Sequence, residues 1–111
     1  MAELLKESSG LLPVNKPRFI TSYDVIRILK KQAVFSKIGH GGTLDPMAEG
    51  VLFILIGRAT KLFDKIRTMK KTYTAEIIFG FETDTDDITG KVTRSSDYRP
   101  SKNRAEEILK T

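Results

Sequence analysis

The residues most able to do chemistry lie in one stretch, Lys37-Ile-Gly-His-Gly-Gly-Thr-Leu-Asp-Pro-Met-Ala-Glu-Gly50. Four glycines and a proline in fourteen residues describe backbone that takes special angles or lets another group come close. Within it Asp45 precedes Pro46, and a residue before proline is held extended. The Asp45 carboxylate can therefore be aimed while the glycines leave room for a ligand. The local alternative is an Asx turn in which Asp45 merely accepts backbone bonds, and local chemistry alone favours it. A phosphate cradle is a poor match. No Gly-Lys-Ser/Thr follows at P-loop spacing, and the glycines precede an apolar run instead of opening a helix after a strand. Cysteine is absent and histidine occurs once, which removes disulfides, thiol catalysis, Cys–zinc sites and a His-rich metal centre. The acidic run Glu82, Asp84, Asp86 and Asp87 lacks EF-hand spacing, with Gly90 misplaced for that loop, so no metal is assigned to it.

The elements that must position this stretch follow from the pattern. GLLPVN (10–15) reads as a strand ended by Lys16-Pro17. Thr21 opens a helix to about Ala33, with Asp24 as a short-armed capping box. Val25, Ile28, Leu29 and Ala33 are expected inward, with Arg27, Lys30 and Lys31 opposite. VLFILI (51–56) reads as a strand buried on both faces, and 59–69 as a second helix with Leu62, Phe63 and Ile66 inward. Residues 71–80 alternate as a half-buried strand, 82–90 form an acidic turn, and 91–94 a short strand. Pro100-Ser101 starts a last helix, which has buried little when the sequence stops. The expectation is a segment of a longer natural chain.

The 111 residues suit one small domain. No run of eighteen apolar residues suggests a membrane span, and MAELLKESSG lacks the apolar core of a secretory signal. A cytoplasmic protein is expected. The net charge of +5 is uneven: Val14 to Thr74 hold twelve basic against four acidic residues. Such a basic half suits a phosphate-backbone partner, since each neutralised phosphate releases counterions. The plainer alternative is a solvated face that keeps the protein soluble. No sustained basic amphipathic stretch points to a membrane surface.

GHGGTLDPMAEGVL closely resembles the catalytic segment of the TruB family of RNA pseudouridine synthases, whose pattern is roughly GHxGTLDPxAxGxL. VNKPRFITSYDVI is similar to the family's (D/N)KPxGxTSxxVV, GRATKL to its GxATK, and KKTYTAEIIFGFETDTDDITG to its KxYxxxxxxGxxTxTxDxxG. The match runs in order from about Gly10 to Gly90, and GFETDTDDITG resembles the bacterial tRNA pseudouridine-55 branch. One position departs: Phe19 stands where the family commonly has glycine. A positive φ there would strain the turn by about 1–2 kcal/mol.

The resemblance implies an α+β fold with a mixed, largely antiparallel sheet and flanking helices, and isomerisation of a uridine in the T-arm of tRNA, a reaction for which no cofactor or metal is expected. Asp45 would be the catalytic carboxylate acting at C1′, where breaking a glycosidic bond builds positive charge. Tyr73 would lie against the flipped base, His40 would help hold the rearranged RNA, and Gly42, Thr43 and Lys16 would bind substrate. VLFILI would form a dry wall behind Asp45. Lys16, Arg18, Lys37, Lys61, Lys70 and Lys71 are candidate phosphate contacts. A monomer is expected, with residues 1–111 the N-terminal portion of the catalytic domain. The rest of that domain and a C-terminal RNA-binding module would lie beyond Thr111, leaving this piece alone inactive or nearly so. The rival from another class is a non-catalytic RNA-binding or RNA-folding protein that keeps the loop for its shape.

Overall fold

A computed structural model describes residues 6–111, which form two compact bodies, one running through Lys71 and one spanning Thr72–Thr111. The expectation for MAELLKESSG falls partly on residues 1–5, outside the described residues.

In the first body β1 (Gly10–Lys16), β2 (Ile38–His40) and β3 (Gly50–Ile56) form an antiparallel sheet in the order β1-β3-β2. Lys16 lies opposite Gly50, and His40 opposite Ile54. Helix α1 (Ser22–Gln32) covers one face. Val25 and Ile26 of α1 meet Leu52 and Ile54 of β3, with Val14, Ile20, Leu29, Ile38, Leu44 and Ile56 around them. Each fully buried aliphatic side chain contributes roughly 1.5–3 kcal/mol. On the other face Leu55 is buried, and Gly41 packs between it and Ile66. The centre of β3 is thus buried on both sides, as its continuous apolar run implies. Val51 at its start is exposed.

Thr21 caps α1 as anticipated: its hydroxyl accepts from the Asp24 N–H at 2.9 Å, and Asp24 accepts from the Thr21 N–H at 2.8 Å. The buried stripe differs from expectation. It runs Ser22, Val25, Ile26 and Leu29, while Ile28 is 47% exposed. Both stripes keep helical spacing, and polar Ser22 decides between them because its hydroxyl bonds Leu44. The second expected helix is also corrected. A 3-10 helix covers Gly57–Leu62, and α2 covers only Phe63–Arg67. Gly57 starts it at φ 59, and the Thr60 hydroxyl bonds the Gly57 carbonyl, which favours a tighter turn than an α-helix. Ile66 is buried, but Leu62 and Phe63 are not.

In the second body β4 (Phe81–Thr83) pairs antiparallel with β5 (Val92–Ser95), and α3 (Lys102–Leu109) follows, capped by Ser101. The α+β class with antiparallel sheets matches expectation. The strand expected over 71–80 does not form: residues 71–79 are exposed and without regular structure. A strand exists through hydrogen bonds to a neighbour, and among the described residues none runs beside this segment. No helix among the described residues is long and apolar enough to cross a membrane.

Candidate active-site loop

The glycines of residues 37–50 meet different needs. Gly42 and Gly50 take φ of 137° and 134°, a region that side chains rarely adopt. Gly41 is required by proximity, since a Cβ there would lie 2.6 Å from Ile66 Cγ2. Its N–H bonds the Phe53 carbonyl at 2.8 Å, continuing the edge that His40 begins. Three residues with a central glycine carry no strand signal of their own, so β2 exists only through β3. The His40 Nδ1 bonds the Gly42 carbonyl. A carbonyl only accepts, so Nδ1 carries the proton in this bond.

After Gly42 the loop is braced on both sides of Asp45. On one side, the Leu44 N–H donates to Ser22 Oγ at 3.0 Å and the same hydroxyl lies 3.2 Å from the Leu44 carbonyl. Leu44 itself packs on the core. On the other side, the Pro46 carbonyl accepts from the Phe19 N–H and, at 3.3 Å, from Lys16 Nζ. The Ala48 N–H bonds the Asp45 carbonyl at 2.9 Å and closes a turn with Pro46 in its second position. Between these braces Asp45 is exposed. Its carboxylate takes part in no hydrogen bond or ion pair with a described residue; only its backbone serves the turn. The Asx-turn alternative is therefore not what the loop uses. Thr43 is exposed beside it.

Lys16 takes a different place from the phosphate contact expected of it. It is 0% exposed, and its ammonium donates to the carbonyls of Pro17 and Ile20, both at 2.8 Å, as well as Pro46. Three donors meet three acceptors, so the buried charge is fully hydrogen-bonded. It ties residues 17–20 to the Asp45 loop and presents nothing to solvent. Lys71 is also engaged, donating to the Arg67 carbonyl at 2.7 Å beyond the end of α2. Arg18 is exposed and pairs with Glu49 at 3.3 Å. Lys37 and Lys61 join Arg58 around an open depression of about 490 Å³ at the other end of β3. Lys70 is exposed.

Tyr73 belongs to the second body, whereas Asp45, His40, Gly42, Thr43 and Lys16 belong to the first. It is exposed in the irregular segment. VLFILI, the expected dry wall, packs its apolar face on α1 and on Leu44, the residue before Asp45. In the acidic turn, Asp87 accepts from the hydroxyls of Thr85 and Thr89 and the Thr89 N–H, which hold its carboxyl below the usual range. Asp84 accepts from the Lys91 N–H at 2.8 Å. These two carboxylates thus serve the turn's own donors. Ser22 had a place in the TS of the family pattern but no assigned role, and the Pro46 carbonyl had neither. The role of that serine shows only when its partner, 22 residues away, is known.

Residues 27–111 match the family model described as TruB family pseudouridylate synthase (N terminal domain). The chain is similar to proteins named tRNA pseudouridine synthase B. It is 46% identical to that of Fusobacterium nucleatum over 101 residues, covering 91% of this chain and 35% of the relative. To that of Caldicellulosiruptor saccharolyticus it is 47% identical, covering 92% and 35%. To that of Clostridium tetani it is 48% identical, covering 91% and 34%. The chain thus spans about a third of the length of the relatives it matches.

Proposed function

The chain belongs to the TruB family of pseudouridylate synthases, and on that premise we propose that the protein carrying it converts a uridine in the T-arm of tRNA, position 55, to pseudouridine. The N1–C1′ bond breaks, the detached base turns, C5 bonds to C1′, and the C5 proton leaves as N1 takes one up. No net oxidation or reduction occurs. The observation that carries this reading is Asp45: an exposed carboxylate with no partner among the described residues, on a loop braced on either side. A fold that leaves a carboxylate unused while fixing its backbone has the preorganisation such chemistry needs. Asp45 acts at C1′ of the target nucleotide, once the base has left its stack. Tyr73 offers a ring to the flipped base, while His40, Gly42 and Thr43 contact the nucleotide around Asp45.

The segment works as part of a larger catalytic domain in a cytoplasmic, monomeric enzyme. Ile77, Ile78 and Phe79 are exposed in a stretch with strand alternation, and they await a neighbouring strand from that domain. The 111 residues alone are inactive or nearly so. The test is tritium release from C5-labelled uridine in a T-arm hairpin, using the longest natural reading frame that contains this segment. Release by the native protein and at least a thousandfold less from Asp45→Asn is the expected outcome, on the order of the loss when a reacting group is removed. No release from a folded, RNA-binding native protein would overturn it and favour the non-catalytic alternative.

A further inference from the structure

Phe19 stands in a conformation that its own chemistry disfavours. Its φ is 69°, in the left-handed region where a bulky side chain is strained. Its side chain gains little in return, because the residue is 78% exposed. Glycine, common here in the family pattern that this chain otherwise follows, would take the same angle without strain and without a ring. The position is nevertheless held firmly, since the Phe19 N–H bonds the carbonyl of Pro46, next to Asp45. Arg18 beside it carries an exposed guanidinium whose partner, Glu49, lies in the Asp45 loop. A strained residue left exposed at a site points from the outlier toward a function. An aromatic face next to a cation suits single-stranded RNA, the ring stacking on a base and the cation meeting a phosphate.

We infer that Phe19 is a stacking platform for an unpaired nucleotide adjacent to the target uridine, setting the register of the RNA against Asp45. This rests on the function proposed above. The experiment compares the longest natural reading frame with its Phe19→Gly, Phe19→Leu and Phe19→Tyr variants, using the T-arm hairpin. Unfolding midpoint, hairpin Kd, KM and kcat are all measured. Phe19→Gly raises the unfolding midpoint by removing strain, yet weakens Kd and KM by about 5- to 100-fold, the usual worth of one base–aromatic stack. Phe19→Leu loses the same affinity without gaining stability, and Phe19→Tyr keeps native affinity. A purely structural residue would move stability and affinity in the same direction. Native Kd and KM in Phe19→Gly, with an active native enzyme, overturn the platform and leave the proposed function standing. If the native protein shows no turnover, that function falls, and the Kd ratio of Phe19→Gly to native still decides whether the ring stacks on RNA.

Discussion

At Leu44 a single hydroxyl serves both polar groups of the backbone, so the residue before Asp45 depends on Ser22 for its position. Ser22 is buried. Ser22→Ala leaves a donor unsatisfied and is expected to destabilise the first body by about 1–3 kcal/mol. Under the function proposed for Asp45, a larger effect falls on catalysis. With Asp45 free to drift by about 1 Å, kcat should fall roughly a hundredfold while hairpin KM changes little. Steady-state kinetics well below the unfolding midpoint check this, and an unchanged kcat would mean that Pro46 and its bond to Phe19 suffice to hold the loop. Lys16 teaches the complementary lesson. As a residue type it reads as a phosphate ligand, yet the fold uses its charge to gather three carbonyls.

Helix α1 owes its start to a cap with a titratable member. The Thr21 N–H and then the Arg27 guanidinium bond Asp24, and together they pull its carboxyl down to about 2. Its unfolded value is ~3.9. A depressed folded pKa means that the stabilisation is complete above the unfolded value and is lost as pH falls toward the folded one. Stability should therefore decline between about pH 4 and pH 2 through this group, and Asp24→Asn should flatten that part of the profile. Denaturant melts at stepped pH test it; an unchanged slope in the variant would assign the acid sensitivity elsewhere. Cap and strand limits were legible because they depend on neighbours in sequence: Thr21 with Asp24, Lys16 with Pro17. Ile26 in place of Ile28 was not, because two stripes satisfied the same period and a serine chose between them. The segment over 71–80 has the alternation of a strand and lacks, among the described residues, the partner that makes one.

Over the whole molecule, charge is the property that a long RNA would sense. Lys37, Arg58 and Lys61 gather at one end of β3, about 20 Å along the strand from Gly50, where the Asp45 loop ends, given roughly 3.3 Å per residue. If the hairpin reaches both places, Lys37→Gln and Lys61→Gln should each weaken binding at every sequence tested. Each should also reduce the slope of log K against log salt by roughly 0.7–0.9. Lys71→Gln should leave the slope unchanged, since that ammonium lies against the carbonyls after α2. Binding titrations at several salt concentrations decide it; slopes that are the same for all three variants would remove the far end of β3 from the interface.

The types and order of residues by themselves determined the family, with the α+β class it carries, and the capped helix, because each rests on local spacing that any folded form must keep. They also raised the question of φ at Phe19, which only the backbone could answer. Tertiary structure alone decided that β2 exists, that Lys16 is buried, that Ser22 grips Leu44, and that the Asp45 carboxylate has no partner within the described fold. Each of these depends on groups far apart in sequence that become neighbours only when the chain closes, and no local period records such a meeting.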